Sequence, residues 1–253
     1  MKPCVVATGI SKSFERTIVP TVHVQDRVLR WHERKVYWKK QVFSDLSFTL
    51  HAGEWVGISG PNGSGKTTLL SVLAGLMEPD EGTVVRHADI SCFFGLGSGF
   101  HPERTAAENI LQHALLHRMS TNDSDTLIEG VVAVAGVSAH RDLPLHCYSA
   151  GMRQRLAFGL LMHTETSAYL LDEVFAVGDA EFREVSRRHF SVLREKGCSG
   201  ILVGQNMAEL QNFCDRMLWM ENGQLTEESM KKRASPEARQ GFACPANAPR
   251  RVD

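Results

Sequence analysis

The chain of 253 residues has no apolar run approaching the roughly 18 residues that a membrane-spanning helix needs. Its opening residues, MKPCVVATGISKSF, lack the long apolar core of a secretion signal, so a cytoplasmic location is expected. Net charge is nearly absent as well. The 28 Lys and Arg offset 29 Asp and Glu to leave a formal −1, and no global pull toward nucleic acid follows, so none is expected as a partner. The six cysteines include no Cys-x-x-Cys pair, which speaks against both a zinc framework and a disulfide scaffold. His113 and His117, four apart in an expected helix, are spaced to share a metal, but two histidines do not make a site. What is present is 43% hydrophobic residues, enough for a full core in one large domain or one domain with a subdomain.

Residues 5–10 read as a strand, and 56–59 as a short apolar strand before a glycine-rich turn. Leu69, Leu70, Leu73 and Leu76 recur at helical spacing, and that helix must stop before Pro79 and the turn Pro79-Asp80-Glu81-Gly82. A strand at 83–85 follows. Residues 106–118, 124–137 and 151–162 read as three helices with little strand signal between them, a helical insert at about 101–162. Strands return at 168–171 and 200–203, separated by a helix over 182–196 that Gly197 closes. Strand, helix, strand implies a parallel sheet. Residues 1–230 therefore form the expected domain, and 231–253, with Pro236, Pro245 and Pro249 and no apolar period, read as a disordered tail. Residues 15–40, basic and carrying Trp31, Tyr37 and Trp38, read as an insertion. They form either a solvated loop with a hairpin or a surface that meets a partner protein or lipid headgroups.

The chemistry begins at Gly60-Pro61-Asn62-Gly63-Ser64-Gly65-Lys66-Thr67-Thr68, which fits Gly-x-x-x-x-Gly-Lys-[Ser/Thr] between an expected strand and an expected helix. Gly63 and Gly65 let the backbone turn its amides around phosphate oxygens, and the helix that follows adds its positive end. Lys66 is expected to reach the β and γ phosphates, and Thr67 to offer its hydroxyl to Mg²⁺. Further on, YLLDEVFAVGD places Asp172 and Glu173 where an apolar strand leaves the core. Asp172 is the expected second magnesium contact, delivered by a strand neighbouring the phosphate loop. Glu173 is the expected group that orients or deprotonates water.

Tyr148-Ser149-Ala150-Gly151-Met152, one helix before Asp172, resembles the Leu-Ser-Gly-Gly-Gln signature of the ATP-binding subunits of ABC transporters, matching its serine and second glycine and departing at Tyr148, Ala150 and Met152. The resemblance covers roughly residues 5–226. It implies an α/β P-loop NTPase with a RecA-like core of mixed or parallel strands and a helical subdomain. It also implies a head-to-tail homodimer sandwiching ATP, with Ser149 and Gly151 clamping the γ phosphate held by the opposite subunit and Asp179 in the crossing segment. Leu96-Gly-Ser-Gly-Phe-His-Pro-Glu103, Glu108-Asn109-Ile110 and the run from Asp172 to Phe182 are similar to the branch that exports O-antigen, capsule and teichoic acid. Membership of that branch implies an integral-membrane permease partner at the inner membrane. Members stack adenine on an aromatic after the first strand, where Phe14 stands here; Trp38 is a second candidate. Two departures bear on turnover. Gly95 stands at or near the place of a glutamine that contacts Mg²⁺ in many members, and Gly204-Gln205-Asn206 replaces the usual Ser-His-Asp/Asn. Gln205 donates an amide hydrogen bond but neither becomes a cation nor shuttles a proton, so a slow ATPase is expected.

Overall fold

Val5, Ala7 and Ile10 on one segment and Phe43, Leu46, Phe48 and Leu50 on another are buried, the alternation of a half-buried strand broken by a register shift between Ala7 and Ile10 and again between Phe43 and Leu46. In the computed structural model, which describes residues 2–18, 36–94, 99–116, 123–173 and 180–228, these segments are β1 (Pro3–Ile18) and β2 (Val36–His51). They pair antiparallel, and β4 (Glu81–Arg86) joins the other edge of β1, completing a sheet of order β2-β1-β4. The flanks of the 15–40 insertion thus continue the hairpin, with Glu15 opposite Lys39 and Arg16 opposite Trp38; residues 19–35 lie outside the described residues, as do His117 and the 231–253 tail.

The second sheet holds β3 (Trp55–Ser59), β5 (Ile90–Phe94), β6 (Ala168–Asp172), β7 (Ser199–Val203), β8 (Arg216–Glu221) and β9 (Gln224–Glu228). Its order is β5-β6-β7-β3-β8-β9, parallel except for the β8–β9 pair. Every residue of β3, β6 and β7 is buried, as expected of strands covered on both faces. This order corrects one expectation: β7 lies between β3, which leads into the phosphate loop, and β6, which ends in Asp172. Helix α1 (Lys66–Ala74) spans the gap by packing over β5 and β6. Leu69, Leu70, Val72 and Leu73 are its buried residues. Leu76, expected on the same face, falls beyond the helix end and is 65% exposed, because Gly75 takes the left-handed conformation (φ 81°) and closes the helix.

Helices α2 (Ala106–Leu116), α3 (Ser124–Ala135) and α4 (Ala150–His163) gather around a cluster of their own that includes Ile110, Val131, Leu145, Tyr148 and Leu156. The Glu108-Asn109 pair has a local structural use. The Glu108 carboxylate accepts from the Thr105 amide (2.8 Å) and the Thr105 hydroxyl accepts from the Glu108 amide (3.2 Å), a capping box at the start of α2. Asn109, 1% exposed, accepts from the His101 amide and donates to the Thr105 carbonyl. Helix α5 (Ala180–Glu195) covers the other face of the large sheet, where Phe182, Phe190 and Leu193 join Trp55 and Tyr169. The short α6 (Met207–Leu210) follows β7.

The turn after α1 is tied back to β1 by one carboxylate. Asp80 accepts from Lys12 Nζ (2.7 Å) and from the Ser13 amide and hydroxyl (2.7 and 2.8 Å), and these contacts bring its pKa from 3.8 to about 2. Because the folded value lies below the ordinary one, the stabilisation is complete above about pH 4 and fades as pH falls toward 2. Asp80→Asn should therefore lower Tm at pH 7 by roughly 2–4 °C, with the gap to wild type closing in thermal melts on acidification. A gap of constant size from pH 7 to pH 3 would contradict this role.

Candidate functional site

Between Ser59 and Lys66 the chain must reverse from strand to helix within six residues, and its glycines make this possible. A Cβ on Gly60 would lie 2.1 Å from the Met220 carbonyl oxygen. Gly65 caps α1 in the left-handed region (φ 106°), and a Cβ there would meet Val42 Cγ1 at 2.4 Å. Lys66 is 8% exposed, and its Nζ donates to the carbonyl oxygens of Gly60 and Pro61, each at 2.8 Å. Burial pushes its ammonium below the ordinary lysine value, while Asp172 and Glu173 oppose that shift. The first-turn amides of α1 have no intrahelical acceptor, and the helix dipole makes this end positive. The Ser64 hydroxyl is buried without a hydrogen-bond partner among the described residues, an orphan that a phosphate oxygen would satisfy.

Asp172 ends β6 and is 7% exposed; the Thr67 hydroxyl donates to its Oδ2 at 2.5 Å. Residues 105 positions apart thus bring the two expected magnesium ligands into contact. Burial raises the Asp172 pKa, the Thr67 bond lowers it, and the neighbouring Glu173 charge raises it again. A carboxylate disfavoured by burial, beside a hydroxyl, is a donor set that suits a hard cation. Glu173 has positive φ (54°) although it is not glycine, and its amide donates to the Val203 carbonyl at 2.9 Å. Its Oε1 accepts from Gln205 Nε2 at 2.9 Å. The intervening strand β7 supplies this contact: Asp172 stands opposite Val203, so Glu173 and Gln205 leave adjacent parallel strands side by side. A hollow of about 170 Å³ lies against both, lined further by Asn206, Glu209 and Leu210.

The phosphate loop opens into a cleft of about 410 Å³. Asn62, Gly63, Gly65, Lys66, Thr67, Thr68, Asp172 and Glu173 line one part, and Phe14, Trp38, Lys40 and Val42 line the rest. Phe14 and Trp38, 39% and 45% exposed, therefore both face the cleft. Lys40 and Val42 were not foreseen, although the alternation Trp38-x-Lys40-x-Val42 would have placed them on one strand face had β2 been recognised.

Ser149 and Gly151 do not line this cleft. Ser149 is the N-cap of α4, its hydroxyl accepting from the Met152 amide at 3.1 Å. It stands exposed at a helix start. Gly95 and Asp179 lie outside the described residues, and no cluster of three or more metal-ligating side chains occurs among those described. Nor, among them, is any helix long and apolar enough to cross a membrane.

A family model described as ABC transporter matches residues 43–176. The chain is 33% identical over 205 residues, 81% of its length and 83% of the relative's, to the O-antigen export system ATP-binding protein RfbB of Klebsiella pneumoniae. It is 37% identical over 181 residues, covering 72% and 80%, to the polysialic acid transport ATP-binding protein KpsT of Escherichia coli. Among solved structures it is similar to a dimeric ATP-binding cassette in a post-hydrolysis state bound to ADP and Pi, with a TM-score of 0.72 at 19% identity over 90% of this chain and 100% of the other.

Proposed function

The chain belongs to the ABC transporter family, and on that footing we propose that it is the ATP-hydrolysing subunit that powers export of a polysaccharide or glycolipid across the cytoplasmic membrane. The observation that carries this reading is the convergence of Lys66, Thr67, Asp172 and Glu173 on one cleft that opens from the phosphate loop. The amides of the loop and the Lys66 ammonium bind and orient the triphosphate. Thr67 and Asp172 would hold a Mg²⁺, which supplies positive charge to offset the charge of the transferred phosphoryl group. Glu173 orients the attacking water and takes its proton, and the Gln205 amide fixes the direction of that carboxylate. Ser149 and Gly151 act across a homodimer, each closing on the ATP of the partner subunit. Names of the relatives support the glycan reading, since those proteins serve export of O-antigen and transport of polysialic acid. The permease that docks this chain to the inner membrane selects the cargo.

Copurification from detergent-solubilised membranes tests the assignment: a multi-span permease should accompany the full chain. Recovery with ribosomes or DNA instead would overturn it. A second reading, a nucleotide-dependent regulator with little hydrolysis, is favoured by Gln205. Loss of one preorganised transition-state donor costs on the order of 10²-fold in other enzymes. Gln205→His should therefore raise kcat, by up to about 10-fold given that the amide already contacts Glu173. An unchanged or lower rate, with folding and ATP affinity intact, would contradict the role given to this position.

A further inference from the structure

We infer that Glu209 and the hollow beside Glu173 form a proton exit from the hydrolytic site, a task that Gln205 cannot perform. The inference rests on the reading of Glu173 as the base and adds the route by which that base is reset. Glu173 lines both the cleft that opens from the phosphate loop and the hollow of about 170 Å³, and among the described residues no other lines both. The two spaces therefore meet at its carboxylate. Gln205 Nε2 holds Oε1 at 2.9 Å, which leaves Oε2 to receive the proton of the attacking water. An amide positions that carboxylate but carries no proton away from it.

Each turnover places one proton on Glu173: an O–H bond of water breaks as its oxygen bonds the γ phosphorus, and the bond to the departing ADP oxygen breaks. That proton must leave before the next turnover. Closure of the homodimer over ATP shuts the cleft side to bulk water, whereas the hollow has room for several water molecules. Of the other residues that line it, Val203, Gly204, Gln205, Asn206, Glu209 and Leu210, only Glu209 has a side chain that accepts and releases a proton. Asn206 Oδ1 accepts from the Glu209 amide at 3.3 Å, which fixes the backbone of α6 against the hollow. The Glu209 carboxylate, 15% exposed, lies 3.7 Å from Nη2 of Arg187 on α5, which is 46% exposed and pairs also with Glu184. Arg187 thus marks where the far wall meets solvent. The proton passes from Glu173 through water in the hollow to Glu209 and is released beside Arg187, so ATP and water yield ADP, phosphate and one proton.

Phosphate release by the purified full chain, with MgATP affinity measured beside it, tests this. Glu209→Gln should lower kcat about tenfold, less than the 10²- to 10⁴-fold owed to the base itself, and leave affinity unchanged. Added imidazole, a small diffusible proton carrier, should recover most of the lost rate, which it would not do for a folding defect. The loss should also shrink in the Gln205→His background, where an imidazole already faces the hollow. Wild-type kcat in Glu209→Gln, a loss that imidazole leaves unchanged, or an equal loss in both backgrounds would overturn the exit. Affinity falling in step with kcat would make Glu209 a structural residue instead. Failure of the base reading looks different: Glu173→Gln then keeps its turnover, whatever happens at position 209.

Discussion

Glu173→Gln binds MgATP with wild-type affinity and hydrolyses it about 10²- to 10⁴-fold more slowly, the range that a positioned general base contributes. The substitution is nearly isosteric. Its amide oxygen still accepts from Gln205 Nε2, and its backbone keeps both the bond to Val203 and the positive φ. What disappears is the negative charge and the capacity to accept a proton from water. Nucleotide affinity is untouched because the phosphates are gripped by other groups: the loop amides and the buried Lys66. Removing an anion beside the γ phosphate favours binding, if anything, by lessening like-charge repulsion. Phosphate release read beside a binding isotherm checks both halves, and robust turnover in the variant would strip Glu173 of its assignment.

Lys66→Ala weakens MgATP by about 10²- to 10³-fold, the scale on which one partner of a desolvated charge pair is lost. The ammonium is held against the phosphate cradle by two carbonyl oxygens and has little exposure, so no mobile surface lysine can substitute for it. Its loss also leaves Asp172 and Glu173 without their neighbouring cation, so the variant repels a triphosphate as well as failing to attract it. Isothermal titration with circular dichroism as the folding control is the measurement. Affinity within about threefold of wild type, on a folded protein, would mean that the amides alone hold the phosphates.

The residues that were legible early share one property: their geometry is local. Gly60 to Thr68 state a turn, a cation and a helix start within nine positions, and Asp172-Glu173 mark the end of an uninterrupted apolar run. Strands β6 and β7 were equally readable as short, uninterrupted apolar runs, and helices α2 to α4 because apolar residues recur along them at helical spacing. Strand β2 was not. Register shifts in its pairing with β1, between Ala7 and Ser13, interrupt the alternation, and the insertion separates it from its partner. Strand β9, Gln-Leu-Thr-Glu-Glu, has a single apolar residue, Leu225, too little to show a period, and it pairs along the edge that β8 offers. Ser149 was assigned to a phosphate on resemblance, and within one chain its hydroxyl is occupied as a helix cap.

By itself the sequence determined that a phosphate cradle precedes a helix and that paired acids end a buried strand, because hydrogen bonding and steric fit between near neighbours suffice for both. Only the tertiary structure decided that β7 separates those two elements, that Thr67 meets Asp172 and Gln205 meets Glu173, and that β2 carries Trp38 and Lys40 into the same cleft. Strand order follows from how helices cover the two faces of a sheet, a property of the whole packed core that no single segment contains.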